Sequence, residues 1–448
     1  MASAATPMAS SNLPPRVNME EPSNNINSPT PAPVSVPYVA PDGGWKAWST
    51  VAGGFFCQFA SFGFINALGT FQYIYETNIL KTTSPASITW ILTMQLFLMF
   101  FFSQPVGLLV DLFGHRIILA VSSLLSVAGL IGLAFARSYG QVFLAQSICF
   151  GLGAAGVFTV GMVVAAQWFS KKRVIALGVV AAGSSLGGVI FPIFLAQLYA
   201  QIGFEKTILY TALIIGIALL LANVLMFPAM KPKGLAGRRT LIRFSLFKQT
   251  PYLLFVIGVF LYFWGLFAPF DFLPLFADQD ASTKGVSLYM VSILNAASLP
   301  GRILPSLFSG KIGHLKVLAF SGVLTAISVL VIWVPLNSHP SLGGLVFLAL
   351  MVGFFSGAFV GLMTPCLLDV AGGHSSDFGA MMGTFFAIIA VSSLTGLPIQ
   401  ASISKGNDLL GLMIFAGIAM LLGSILLVIT DVMIQRRKVA VEEAKASH

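Results

Sequence analysis

Long apolar runs recur along this chain, and they restrict its fold more than any other feature. A bilayer core about 30 Å thick is crossed by about 20 helical residues. Backbone groups find no water in that core, so each run has to satisfy its amides and carbonyls within a helix. The sequence therefore predicts an all-α membrane protein with twelve transmembrane helices. The apolar segments lie near 48–75, 87–110, 116–136, 140–167, 174–200, 207–228, 251–276, 286–308, 315–336, 341–368, 378–403 and 408–432.

The charge content agrees with a membrane protein and excludes an ordinary soluble domain. Only 9% of the residues are charged and 57% are hydrophobic, whereas about 25% of the residues of a soluble domain are charged. The net charge of +9 does not indicate nucleic-acid binding, because most basic residues lie in short loops and tails beside apolar segments. The three cysteines, Cys57, Cys149 and Cys366, lie within apolar segments, so we predict neither a disulfide framework nor a metal site.

Polar stretches divide the chain into two halves with tails. Residues 1–40 are rich in Pro, Ser, Asn and Ala, which predicts a disordered cytosolic tail. A basic linker at 231–250 separates residues 41–230 from residues 251–432, and each of these parts contains six apolar segments. Residues 433–448 form a short C-terminal tail that is also predicted to be cytosolic.

The positions of the basic residues orient the helices. With both tails in the cytosol, eighteen Lys and Arg residues fall on the inner side and five on the outer side. Inner loops of membrane proteins carry the excess of Lys and Arg, so this arrangement is the predicted one. Arg302 is the single basic residue left within an apolar segment. The outer residues are Lys81, Arg137, Lys206, Lys284 and Lys405.

A short motif follows the second apolar segment, with a weaker copy after the eighth. The first copy contains Gly107, Asp111, Gly114 and Arg116. The second copy, at 306–314, keeps two glycines and lacks the acid. The first resembles the loop signature of the major facilitator superfamily, Gly-x-x-x-Asp-x-x-Gly-x-Arg. Its recurrence in a chain of six plus six segments implies the fold of that family, in which two related halves surround a site near the midplane. The motif residues are predicted to act in the conformational cycle.

Two further segments narrow the resemblance to the monocarboxylate porter family. Segment 42–48 reads Asp-Gly-Gly-Trp-Lys-Ala-Trp, and segment 167–184 begins Gln-Trp-Phe-Ser-Lys-Lys-Arg. Both are similar to signature motifs of that family. Two interpretations of Asp42, Lys171 and Arg173 stay open: a role in the transport cycle, or helix capping for Asp42 and a topology signal for the basic pair. Capping of the first helix by Asp42 is the expected local structure.

The long polar tail and the run 63–72 resemble the fungal branch of that family. Animal lactate carriers of the family have an acid one turn before a helix-8 arginine, where this chain has Ser298. They also have a lysine in helix 1, where this chain has Asn66 and Ala67. The resemblance therefore does not imply proton–lactate symport here, although protons remain a candidate coupling ion.

Arg302 is the main candidate for substrate binding. A charged side chain within a membrane helix costs about 2.5–3.5 kcal/mol on insertion scales and usually faces a cavity or a partner. Asn295, Ser298 and Arg302 follow three- and four-residue spacing, so they share one helix face. Arg302 matches the family's substrate-anion arginine, and its planar fork can hold a carboxylate through two hydrogen bonds. Snorkelling to the interface is the alternative, because the predicted helix end is about six residues away.

Asp271 and Asn66 complete the candidate site. Asp271 lies between Pro269 and Pro274, which are expected to break the seventh helix and to free backbone carbonyls. Asp271 then either carries a proton, pairs with Arg302, or is a solvated acid near the outer helix end. Asn66 lies in the first segment and is a candidate for the cavity wall.

These observations predict a carrier without cofactor or metal, and no enzyme signature is present. The expected cargo is a small organic anion or metabolite that crosses the lipid bilayer by alternating access. We favour export of a secondary metabolite, because the lactate-coupling residues are absent. Uptake of monocarboxylates or of a vitamin-like compound stays open, as does a non-transporting membrane sensor. The plasma membrane is the expected location, with a vacuolar or other internal membrane as the alternative.

Overall fold

The computed structural model describes residues 40–230, 247–370, 378–404 and 408–446. The predicted disordered tail and most of the predicted linker lie outside these residues. α-Helices dominate the described residues, as the sequence predicted. The helices are α1 Trp45–Ile74, α2 Pro85–Phe113, α3 His115–Ala134, α4 Tyr139–Trp168, α5 173–202, α6 204–225, α7 Thr250–Asp278, α8 Met290–Ile312, α9 His314–Leu336, α10 Leu342–Val370, α11 Phe378–Ile403 and α12 Leu410–Ala446.

Ten helical stretches within the described ranges are long and apolar enough to cross a membrane. One of them, Arg173–Leu225, comprises α5 and α6, which meet at Gly203 with φ 77°. That left-handed conformation is accessible to glycine without strain. Helix α8, with 23 residues, is also long enough to span and carries Arg302. The described helices therefore correspond to the twelve predicted segments.

Helices α1 and α7 are each interrupted near their middle. Helix α1 contains a π-helical turn at Phe59–Gly63 and a turn at residues 66–67. Helix α7 is broken at Phe267, before Ala268–Asp278 begins. Pro269 has no amide hydrogen to continue the α-helical pattern at this point. The predicted break in the seventh helix is thus confirmed near Pro269, whereas Pro274 lies inside the following helical piece.

Glycines allow close packing within each half. A Cβ added at Gly183 of α5 would lie 2.1 Å from the carbonyl oxygen of Phe55 in α1. A Cβ added at Gly301 of α8 would lie 2.1 Å from the carbonyl oxygen of Phe354 in α10. Small residues let membrane helices approach until their backbones touch. The pairs α1–α5 and α8–α10 are therefore held at backbone contact.

The two halves meet along two helix pairs, α5 with α8 and α2 with α11. Contacts between α5 and α8 extend over most of their length. They begin near Gly178, where a Cβ would lie 2.9 Å from the Arg302 carbonyl oxygen. They reach Gln197, whose Nε2 donates to the Tyr289 hydroxyl over 3.2 Å. In this conformation the halves are closed on each other along this seam.

Several predicted helix ends differ from the observed ones. Helix α2 continues to Phe113, so Gly107 and Asp111 belong to the helix and not to the loop. Helix α8 runs from Met290 to Ile312 and not from 286 to 308. At the outer end, residues 284–289 form a separate 3-10 turn, and at the inner end the helix continues to Ile312. Arg302 is consequently ten residues from the inner end of α8, about 15 Å at 1.5 Å per residue. The predicted distance of about six residues was too short, which weakens the snorkelling interpretation.

Candidate functional site

Arg302 lies at the seam between the halves, where the residue is 3% exposed. Its Nη1 donates to the carbonyl oxygen of Ala181 over 2.7 Å and to the hydroxyl of Ser184. Its buried Nε has no hydrogen-bond partner among the described residues. Ion pairs found in the same residues do not include Arg302. A buried cation is thus held here by two neutral acceptors of α5.

Polar side chains of α1, α5 and α8 meet next to this cation. The Nδ2 of Asn66 donates to the Asn295 Oδ1 over 3.3 Å and to the carbonyl oxygen of Ser184 over 3.2 Å. The hydroxyls of Ser298 and Ser185 lie 2.6 Å apart. The structure therefore brings four of the five predicted binding residues together. We call the set Asn66, Ser184, Ser185, Asn295, Ser298 and Arg302 the polar cluster.

Glycines of two neighbouring helices make room for this cluster. A Cβ at Gly188 of α5 would lie 2.4 Å from the Asn295 Cγ. On the opposite side, a Cβ at Gly361 of α10 would lie 3.2 Å from the Arg302 Cα. Helix α8 is therefore enclosed by glycine faces of α5 and α10. The glycine spacing on α10, at 353, 357 and 361, is visible in the sequence as two successive Gly-x-x-x-Gly repeats, yet sequence analysis did not use it.

Asp271 lies apart from the polar cluster. Its side chain is half-buried in α7, beyond the break at Phe267. Its backbone packs on Gly69 of α1, where a Cβ would lie 3.6 Å from the Asp271 carbonyl oxygen. The ion pairs within the described residues do not join Asp271 to Arg302. The structure thus places Asp271 where α1 meets α7 across the two halves.

Five phenylalanines from both halves form a second feature, which sequence analysis missed. We call Phe62, Phe100, Phe158, Phe263 and Phe386 the phenylalanine cluster; all five are at most 5% exposed. The rings of Phe100 and Phe386 are stacked, with centroids 5.6 Å apart and an interplanar angle of 6°. Phe158 meets Phe386 edge-on at 5.4 Å. The chain has 39 phenylalanines, and no spacing signal distinguishes these five.

Asp42 does not cap the first helix, contrary to the sequence prediction. The N-cap of α1 is Gly44, which makes no side-chain cap hydrogen bond. Asp42 has φ 55°, and its Oδ1 accepts hydrogen bonds from the backbone amides of Ser170 at 2.6 Å and Lys171 at 2.8 Å. The turn of the chain at Asp42 aims the carboxylate at the α4–α5 loop instead of at α1. Hydrogen bonds therefore join the two signature segments, 42–48 and 167–184.

The electrostatics of this contact favour the charged carboxylate. Desolvation raises the pKa of Asp42, but backbone hydrogen bonds from Ser170, Lys172 and Lys171 outweigh it and hold the pKa below its ordinary value. The amides of Ser170–Lys172 precede the first residue of α5, where negative charge is stabilised by the helix dipole. Asp42 thus binds the loop that leads into α5.

Lys171 and Arg173 have different surroundings in the same loop. The side chain of Lys171 is exposed. The Nε of Arg173 donates to the carbonyl oxygens of Phe169 at 2.8 Å and Ala166 at 3.2 Å, and these groups belong to the end of α4. A cation at a helix C-terminus is favourable. Arg173 therefore binds the C-terminal carbonyl groups of α4, while Asp42 binds the amides of the loop before α5.

The two copies of the loop motif have matching backbones. Gly114, between α2 and α3, has φ 84°, and Gly313, between α8 and α9, has φ 111°. Each supplies a left-handed turn that other residues rarely adopt. Arg116 is exposed beside the first turn, and half-buried Asp111 lines a cavity of about 430 Å³ together with it. The repeat seen in the sequence is thus a structural repeat.

Comparison with known proteins decides the family. The sequence pattern of the Major Facilitator Superfamily matches residues 51–376. The chain belongs to the major facilitator superfamily. The MFS-type transporter hasB of Aspergillus fumigatus is 41% identical over 408 residues, which cover 88% of this chain and 91% of that protein. This superfamily member is therefore a membrane transporter, and its resemblance to the monocarboxylate porters in particular stays a prediction.

Two further relatives carry names that mention a cargo. The agnestins efflux protein AgnL12 of Paecilomyces divaricatus is 34% identical over 87% of this chain and 88% of its own length. The fujikurins efflux protein of Gibberella fujikuroi is 34% identical over 86% of this chain and 82% of its own length. Both names describe efflux proteins, and alignment over nearly the full length means that the same helices are being compared.

Proposed function

We propose that this transporter exports a small organic metabolite that bears a carboxylate or another weakly acidic group. The direction is supported by the relatives named as efflux proteins. The anionic character of the cargo is supported by the environment of Arg302, which is the observation that carries the proposal. Because both hydrogen-bond partners are neutral, the positive charge of the buried guanidinium is not compensated by them, which favours the binding of an anion.

The hydrogen bonds of Arg302 are suited to exchange. Nη1 is bound to a hydroxyl and a backbone carbonyl of α5, and Nε is without a partner among the described residues. A carboxylate can take two donors of the guanidinium in one plane. The acceptors Ser184 and Ala181 are neutral, whereas a carboxylate brings a full negative charge and can take two donors, so an entering anion can displace them from the cation.

The position of the polar cluster suits alternating access. Asn66 and Ser184 belong to the first half, and Asn295 and Arg302 belong to the second half. Separation of the halves at one end of the α5–α8 seam breaks these contacts. The side-chain donors of Asn66 and Arg302 then become accessible from that side of the membrane. Carriers of this kind rock two repeats around a site near the midplane.

Two residues bear on whether transport is coupled to protons. Ser298 stands where the animal lactate carriers have an acid, and its hydroxyl is hydrogen-bonded to that of Ser185. A proton relay through that position is therefore not expected. Asp271, at the contact of α1 and α7, is the proposed proton carrier if export is coupled to protons.

We further propose a location in the plasma membrane with both termini in the cytosol.

The proposed direction is tested by metabolite profiling. Disruption of the gene in its source organism is expected to remove one or more acidic metabolites from the culture medium and to raise them in the cells. Inside-out vesicles that contain the wild-type protein should then accumulate the identified compound. Depletion of a nutrient acid from cells with an unchanged secreted profile would contradict export and support the uptake alternative.

A further inference from the structure

The phenylalanine cluster joins the two halves at a second place, away from the α5–α8 seam. Phe62, Phe100 and Phe158 belong to α1, α2 and α4, whereas Phe263 and Phe386 belong to α7 and α11. Three ring contacts cross between the halves: Phe100 with Phe386, Phe158 with Phe386, and Phe100 with Phe263 at 6.3 Å. Motion between the halves therefore has to separate these rings.

The depth of the cluster matches that of a transport site. Phe100 lies one residue from the midpoint of α2, which runs from Pro85 to Phe113. Carrier sites lie near the bilayer midplane at the interface of the two repeats. When the halves separate, the faces of Phe100 and Phe386 lose their stacking partners and line the opening.

The phenylalanine cluster is also directly linked to the polar cluster. Phe62 and Asn66 lie on successive turns of α1, and the Asn66 amide donates to the Phe62 carbonyl oxygen over 3.0 Å. Residues four apart share a helix face. Four residues correspond to a rise of about 6 Å along an α-helix. A ligand of modest size can therefore contact the aromatic rings and the polar groups at the same time.

We propose that the phenylalanine cluster binds the flat aromatic part of the cargo while the polar cluster binds its acidic group. The cargo class is then an aromatic organic acid, with the acid within one or two helical turns of the ring. This inference rests on the proposed function and adds the substrate class. A flat ring replaces the stacking and edge contacts that the phenylalanines make with each other, and such contacts favour aromatic over aliphatic partners.

Two acids of the same charge and carbon skeleton test the inference. The probes are 2-naphthoate and its saturated analogue decahydro-2-naphthoate, and binding to the purified full-length protein in lipid nanodiscs is measured by calorimetry. The wild type is expected to bind 2-naphthoate about tenfold more tightly. A pocket that is merely apolar would bind the more hydrophobic saturated acid at least as well, and this result would overturn the inference. Binding of neither acid at millimolar concentration would overturn it as well.

Leucine variants test whether the preference for 2-naphthoate depends on the phenylalanine cluster. Phe386→Leu removes two ring contacts between the halves and is expected to reduce the preference for 2-naphthoate about three- to tenfold. Phe191→Leu is the control, because Phe191 is equally buried but contacts only Phe59 and Phe64 of its own half among the ring pairs observed. Phe158→Leu serves if Phe386→Leu fails to fold. An unchanged preference in the cluster variants would contradict the inference.

A neutral aromatic probe separates this inference from the proposed function. Binding of 2-naphthalenemethanol is expected to be weakened by Phe386→Leu and to be unaffected by Arg302→Ala. If Arg302→Ala abolishes binding of both acids while Phe386→Leu changes no preference, the aromatic site is refuted and anion transport stands. If the aromatic preference persists while Arg302→Ala leaves acid binding unchanged, the aromatic site stands and the anion contact is refuted.

Discussion

At the scale of single residues, two charged groups dominate this transporter. The sequence identified Arg302, because a lone cation in an apolar segment is visible without a structure. Its partners Ala181 and Ser184 were not predictable, because they depend on how α5 crosses α8. The predicted partner of Asp42, the start of α1, was wrong for the same reason. Its true partners lie 128 to 130 residues away along the chain, and local capping rules do not reach that far.

The role of Asp42 is testable through the α4–α5 loop. Asp42→Asn retains the shape and tolerates the positive φ but removes the charge, so the amides of Ser170 and Lys171 are expected to exchange hydrogen faster at pH 7. The pKa of Asp42 is lowered in the folded state. Its stabilisation is therefore complete above the ordinary carboxyl pKa and is lost as the pH falls through the lowered folded value. Hydrogen exchange that is equal in the variant and the wild type would contradict this role.

At the scale of helices, packing follows small residues and proline breaks. The existence and number of the helices were predictable, since length and apolarity identify a membrane helix. The outer end of α8 was not, because residues 286–289 extend the predicted segment without being α-helical. The phenylalanine cluster was not predictable either, since ring contacts depend on helix rotation. The glycine spacing on α10 is visible in the sequence and would have predicted part of the packing.

Packing at the α1–α5 contact is tested with an added methyl group. Gly183→Ala places a Cβ 2.1 Å from the Phe55 carbonyl oxygen, and overpacking of this kind costs about 1–3 kcal/mol. The detergent-solubilised variant is expected to have a lower Tm than the wild type. Gly140→Ala is the control, because nothing lies within 4 Å of a Cβ there. Equal Tm values for the two variants would show that α1 and α5 are not in backbone contact.

At the scale of the molecule, the two halves close on each other along α5–α8 and α2–α11. One seam consists of glycines and polar groups with Arg302, and the other contains stacked aromatic rings. Carriers of this kind rock two repeats against each other around a site at their interface. The sequence predicted the two halves and their orientation from the charge distribution, but the closed arrangement of the seams depends on long-range contacts that no local pattern encodes.

The orientation in the membrane is tested by cysteine labelling. Single cysteines at Gly234 and Gln279 are expected to react from opposite sides, because eighteen basic residues fall on the predicted cytosolic side and five on the outer side. The cysteine at Gly234 should react with an impermeant reagent only after the cells are opened. Labelling of both positions in intact cells would contradict the predicted topology.

The most direct test of the account is transport by Arg302 variants in vesicles at matched expression. With the metabolite identified by profiling, Arg302→Ala is expected to lower the affinity about 10- to 150-fold, which corresponds to the loss of about 1.5–3 kcal/mol from a charge-assisted contact. Arg302→Lys should also be impaired, since a point charge does not reproduce the planar fork. Lys311→Ala, which removes an exposed cation from the same helix, should transport normally. Wild-type flux from Arg302→Ala would contradict the central claim.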